Sequence, residues 1–170
     1  LLINERKPIS SFVNIEKHKY LIDDDLKGVY SFWFNNSDNI LNSMNRNFII
    51  DGPNRKKESI EWNWNIYEEF VCIYIGKSTD IKKRWSLHLL LGTEKLYNGN
   101  EKSLYKKTTS CQLRSGFEYL YLEKKANILS EIGKRIYASY LKIDSTIDRF
   151  YLEDYLVGNL VPWFNVDSER

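Results

Sequence analysis

The 170-residue sequence predicts an α+β fold, on three observations. Three short apolar runs, 26–34, 70–75 and 135–143, are rich in β-branched and aromatic residues, which is how strands read. Helix-like stretches with capping residues follow the second and third runs. The chain is 42% hydrophobic and holds 12 Tyr, 8 Phe and 5 Trp, enough for a sizeable core and far from the composition of a disordered chain.

Residues 1–20 are polar and poorly periodic, an arm or a short helix. Asp23, Asp24 and Asp25 look like a turn or a helix cap. Consecutive acids point apart, so a solvated turn is the better reading than a metal site. The first strand run, 26–34, ends in the Asn-rich break at 35–39. Residues 40–50 are ambiguous, with a helix possible around Leu41 and Met44. Asp51-Gly52-Pro53-Asn54 is a strong turn signal, and the basic run Arg55-Lys56-Lys57 follows it. Residues 60–66 alternate, which predicts a strand with Ile60, Trp62, Trp64 and Ile66 on one face.

The run at 70–75 is almost continuously apolar, as in a strand buried on both faces. Gly76 ends it. Ser78 or Thr79 can cap a helix and Asp80 suits its first turn. On that helix Arg84 and His88 are four apart and share a face. Residues 92–107 are loop-rich and basic, with a turn at Asn98-Gly99-Asn100. A helix is predicted over 108–122, with Ser110 as a cap and Leu113, Phe117, Leu120 and Tyr121 as its apolar stripe. Residues 124–133 carry no clear signal. After the third strand run, Asp144, Ser145 or Thr146 caps a last helix over 147–160, which Pro162 stops.

Length fits a single domain over 1–170, with core segments at 26–34, 70–91 and 135–165. One insertion falls at about 35–66, and a basic, partly helical one at about 92–134. There is no repeat, low-complexity tract or linker. No apolar run approaches the roughly 20 residues that span a bilayer, and residues 1–19 lack the apolar centre of a signal peptide. Leu1 is not an initiating Met, which leaves a trimmed N-terminus open. Cys72 and Cys111 are the only cysteines, too few for a disulfide framework or a zinc site. The expectation is a cytoplasmic protein with no membrane partner.

Net charge is +2, but it is unevenly spread. Residues 74–135 hold thirteen Lys and Arg against six acids, a balance of +7, leaving −5 for the rest. A basic half suits a polyanion, nucleic acid first, although a solvated Lys-rich surface would read the same way. The 70–88 stretch would place Tyr74 and Lys77 beside Arg84 and His88, residue types that handle phosphate. The last helix supplies an acid. Its apolar stripe reads Ile147, Phe150, Val157, Leu160, and Glu153 falls on it. A carboxylate facing a core costs several kcal/mol unless paired, so a partner is expected: a metal ion, Arg84, Lys77 or His88. An edge position reaching water is the bland alternative.

Together these residues resemble the GIY-YIG nucleases. Gly28-Val29-Tyr30 matches the first signature and Tyr74-Ile75-Gly76 the second. Lys77, Arg84 and His88 follow at the family's offsets. Glu153 matches the metal-binding Glu of the family's last helix, with Pro162 and Asn165 after it. Either tripeptide alone is weak among 12 Tyr; the joint match of types, spacing and order is strong. The resemblance implies a small three-stranded antiparallel sheet flanked by helices. One departure is that 43 residues lie between Tyr30 and Tyr74, where the family core has a short hairpin. Insertions of this kind resemble the family's type II restriction enzymes, which build recognition into a small chain.

The resemblance implies a site-specific endonuclease that hydrolyses double-stranded DNA with one divalent metal, acting as a homodimer within a restriction-modification system. Glu153 would hold Mg²⁺, for which Mn²⁺ substitutes, with water and phosphate oxygens completing the shell. Arg84 would contact the scissile phosphate. Tyr30 is the first choice of general base, with Tyr74 the other. Lys77 is the cation expected to lower the phenol, and His88 the group that orients it or relays its proton. Asn165 would position. For reading DNA the candidates are Arg55, Lys56, Lys57, Lys106, Lys107, Gln112 and Arg114. The competing expectations are a repair or structure-specific nuclease of the same family, and a DNA-binding module without catalysis. Recognition sequence and cut position are not legible.

Overall fold

The computed structural model describes residues 2–51, 57–61, 63–93, 112–121, 124 and 126–165. Its strands are β1 Lys7–Pro8, β2 Val13–Asn14, β3 Lys19–Tyr20, β4 Gly28–Asn35, β5 Asn47–Asp51, β6 Lys57–Glu61, β7 Ile66–Tyr67, β8 Phe70–Ser78 and β9 Ile136–Lys142. Its helices are α1 Ile81–Leu89, α2 Gln112–Leu120, α3 Ile128–Arg135 and α4 Thr146–Leu160. The α+β class therefore stands. The sheet does not match the expected three strands. It has five, in the order β1-β9-β4-β8-β7, all antiparallel. The three long central strands are the expected ones. The two extra edges are two residues each, too short to leave a periodic pattern. One comes from the supposed arm at the N-terminus, the other from the insertion.

β4 is central because it is apolar on both sides. Tyr30, Phe32 and Phe34 lie in one core cluster with Tyr74, Trp85, Leu89, Leu113, Phe117, Ile128 and Ile132. Val29 and Trp33 lie in a second cluster with Phe70, Cys72, Ile75 and Leu160, against which Leu152, Leu156 and Val157 pack. One sheet face is thus covered by α1, α2 and α3, and the other by α4. Ser31 sits among the second set and is satisfied. It accepts from the Trp33 indole at 2.7 Å and bonds the Ser139 hydroxyl at 2.8 Å. Because α2 and α3 supply buried core residues, the segment read as a basic insertion is built into the main core.

Two glycines let the strands close. A Cβ on Gly28 would stand 2.1 Å from the Leu141 carbonyl oxygen on β9. One on Gly76 would stand 2.5 Å from Tyr30 Oη and 2.8 Å from Tyr74 Cε1. Real Cβ atoms do not approach this closely, so the glycines of both signatures have a steric reason. Tyr30 pairs with Gly76 across β4 and β8, and its ring lies over the space where a side chain would be.

The predicted strand at 60–66 is two pieces. β5 and β6 form a separate two-stranded sheet, while Ile66 pairs onto β8 and is exposed; Trp62 lies outside the described residues. The 36–40 turn is held by Arg135, which donates to both oxygens of Asp38 at 3.0 and 2.9 Å and to Glu131 at 3.0 Å. α1 is capped by Asp80, which accepts from the Lys83 amide at 2.9 Å, and not by Ser78 or Thr79. α4 is capped by Ser145 as expected. Only the second half of its expected stripe, Val157 and Leu160, faces the core. Ile147 is 65% and Phe150 52% exposed, while Arg149 and Leu160 are buried and Leu152, Leu156 and Val157 pack on the core. Hydropathy misread the face because Arg149 turns inward, donating to the carbonyls of Ile143 at 2.8 Å and Asp144 at 2.7 Å.

Candidate active site

Two strands and one helix bring four of the expected residues together on one face. Tyr30 comes from β4 and Tyr74 from β8; Arg84 and His88 come from successive turns of α1. Tyr30 Oη and His88 Nε2 are 2.8 Å apart, with both side chains fully buried. The His88 ring centroid is 4.6 Å from that of Tyr74 and 5.9 Å from that of Tyr30; the two tyrosine rings are 6.1 Å apart. The Arg84 guanidinium is a hydrogen-bond donor to both phenols.

Burial governs the protonation of this cluster. It pushes the Tyr30 phenol well above its usual 10, with the neighbouring Tyr74 adding to the rise and Arg84 opposing it. Burial also raises Tyr74, against the hydrogen bond and charge of Arg84 and with the help of Glu153. His88 is driven down to about 3, by burial first and by the Arg84 charge second. At neutral pH the resting cluster is therefore two phenols, a neutral imidazole and one guanidinium. The cation expected beside the tyrosines was Lys77. The structure puts Arg84 there, and Lys77 is engaged elsewhere.

Lys77 and Glu153 form the second half of the site, at the outer edge of β8. The Lys77 main-chain N–H donates to Glu153 Oε1 at 3.1 Å, and its ammonium pairs with Glu153 Oε2. The pair is half-buried, the Lys77 side chain 27% and the Glu153 side chain 16% exposed. Lys77 Nζ also lies 4.0 Å from the Phe150 ring centroid, a cation–π distance. Two residues earlier on the same edge, the Asn165 amide clamps Ile75. It accepts from the Ile75 N–H at 2.8 Å and donates to the Ile75 carbonyl at 2.7 Å. Asn165 thus stands in for a strand, which satisfies backbone groups that an open edge would leave bare. Val161, in the left-handed region at φ 46°, turns the chain back towards this edge. A β-branched residue there costs on the order of 1–2 kcal/mol.

Glu153 suits a hard cation. It offers oxygen donors, one fixed by main chain and one held only by a side-chain ammonium. Few protein ligands is ordinary for Mg²⁺. Among the described residues no group of three or more His, Cys, Asp or Glu is gathered for a metal, so a multi-ligand site of the zinc type is not visible there.

The DNA-reading candidates fare differently. Arg55, Lys56, Lys106 and Lys107 lie outside the described residues. Lys57 opens β6 and Gln112 opens α2. Arg114 must be corrected. It is fully buried, donating to Glu118 at 2.9 Å, to the Leu89 carbonyl at 3.0 Å and to the Thr93 carbonyl. It ties down the C-terminal end of α1 and has no reach to a base edge. Sequence reasoning missed the edge-clamping role of Asn165 and the partnership of Phe150 with Lys77. A rise of apolar residues on both sides of α4 was the available signal for an exposed Phe150.

The chain matches no protein-family model, no curated protein and no solved structure with which it was compared. Among the described residues, no helix is long and apolar enough to cross a membrane.

Proposed function

We propose that this chain is a GIY-YIG-type endonuclease that hydrolyses double-stranded DNA at a specific site with one divalent metal, a type II restriction enzyme acting as a homodimer. The observation that carries the reading is the meeting of Tyr30, Tyr74, Arg84 and His88 in one hydrogen-bonded cluster, with Glu153 close enough to raise the Tyr74 phenol. These residues are scattered over 124 positions of sequence, and it is their types, spacing and order together that resemble the family.

In this reading Glu153 would hold Mg²⁺ or Mn²⁺, which would supply Lewis acidity for phosphodiester hydrolysis. Arg84 exchanges its contacts with the two phenols for the phosphate, whose oxygens fit its planar fork. That exchange frees Tyr30 Oη for water. Tyr30 Oη is then the group that faces the attacking water, and His88 Nε2, neutral and too weak a base to keep a proton, orients the phenol by accepting its hydrogen bond. Tyr74 holds the cluster in register, and Asn165 fixes the β8 segment that carries Lys77.

The test is digestion of plasmid DNA by the full chain with Mg²⁺. Discrete fragments are expected, and end mapping of them yields the site and overhang. A smear, or intact plasmid with every divalent metal tried, overturns the reading. Preference for branched over intact duplex would instead favour a structure-specific nuclease.

A further inference from the structure

We propose that Lys77 is the resting counter-ion of Glu153, and that the divalent cation must displace its ammonium to bind. This rests on the reading of Glu153 as the metal ligand. Lys77 gives the same carboxylate two partners of different kinds. Its main-chain N–H holds Oε1 at 3.1 Å, and its ammonium holds Oε2. The first partner cannot leave, because Asn165 clamps the strand at Ile75. The second is carried on a flexible four-carbon stem and is 27% exposed.

A half-buried carboxylate left without a cation is costly. Glu153 therefore needs a positive partner in both states, and the choice is between the ammonium and the metal. Arg84 is engaged with Tyr30 and Tyr74 in this state, which leaves Lys77 as the cation on Glu153. Phe150 supplies the resting place for the displaced group. Its ring is already 4.0 Å from Lys77 Nζ and half exposed, so the ammonium keeps a favourable contact as it leaves Oε2.

Two consequences follow. The free protein binds metal more weakly than its carboxylate alone would allow, because each ion must drive off a cation first. Substrate relieves this, since a phosphate gives the released ammonium an anionic partner. Metal and DNA then bind with positive coupling, and the coupling is reciprocal.

The experiment is Mn²⁺ binding to the full chain without DNA, read from the electron paramagnetic resonance of free Mn²⁺. Lys77→Met and Lys77→Gln are both expected to bind about tenfold tighter than wild type, as loss of one adjacent positive charge predicts. Lys77→Arg keeps the charge and is expected to bind no tighter. Mn²⁺ is also expected to raise the melting temperature of the neutral variants by more than that of wild type. Equal or weaker binding by whichever neutral variant folds, with Glu153→Gln losing the site, overturns the proposal and leaves the metal reading standing. Binding by Lys77→Arg as tight as by Lys77→Met overturns it as well. Unchanged binding by Glu153→Gln overturns the metal reading and the proposal together.

Discussion

The two halves of the candidate site treat charge in opposite ways. On the α1 face, Tyr30 and His88 are sealed from water, and burial holds the phenol protonated and the imidazole neutral. At the outer edge of β8, Lys77 and Glu153 form an ion pair whose side chains are 27% and 16% exposed. The difference follows from position. A group over the middle of a covered sheet loses solvation and sheds its charge; a group at the edge keeps enough water to retain it. The teaching is a division of labour. The dry half holds its protons in fixed hydrogen bonds, and the edge half keeps an ion pair within reach of solvent.

The strongest way to break this comparison is at the link between the halves. Arg84→Ala is expected to slow DNA cleavage by about 10³-fold, the scale of losing a preorganised donor to a reacting oxyanion, while binding to DNA in a gel-shift assay persists. A loss of only a few-fold would mean that Arg84 merely pairs the tyrosines.

The next effect concerns the neutrality of the dry half. The His88 value of about 3 lies below the ordinary 6.5. The unfolded chain takes up this proton as pH falls through 6.5, whereas the folded chain resists until about 3. Stability is therefore fully present above pH 6.5 and is lost as pH falls towards 3, by roughly 3 kcal/mol at about pH 4.5. Urea unfolding across this range should show the slope in wild type, and His88→Gln should flatten it. Equal slopes would place His88 in a wetter site than the structure gives it.

Gly76→Ala tests how closely the phenols fit. The added methyl meets Tyr30 Oη and Tyr74 Cε1 at under 3 Å, so one ring must move. A stability loss of about 2 kcal/mol is expected, within the range for overpacked cores. Asn165→Ala probes the edge half and has the smallest effect. It removes two hydrogen bonds to Ile75, about 1–2 kcal/mol by denaturant unfolding, and lowers cleavage less than Arg84→Ala does.

Sequence was informative where spacing alone fixes geometry. The four-residue step from Arg84 to His88 and the three long strands needed nothing beyond local pattern. α4 began and ended within a residue of expectation, since Ser145 and Pro162 are local signals. What stayed hidden depends on the tertiary environment. Arg114 and Arg149 are polar by composition and buried in fact, each supplied with carbonyl partners that no local pattern announces. The face of α4 was misassigned for that reason. Lys7–Pro8 and Ile66–Tyr67 are too brief to alternate. α3, with Gly133 inside eight residues, is too short to stand out.

The outer edge of β8 has a further consequence for how the chain is made. Its groups at Ile75 and Lys77 are covered by Asn165 and Glu153, which leave a ribosome more than 70 residues after the strand does. Until they arrive, the strand Phe70–Ser78 offers an apolar edge to any extended peptide, its own nascent neighbours included. The same residues that complete the candidate site thus also close the sheet. A chain halted before Glu153 would lack the candidate site's carboxylate and leave that edge open for one and the same reason.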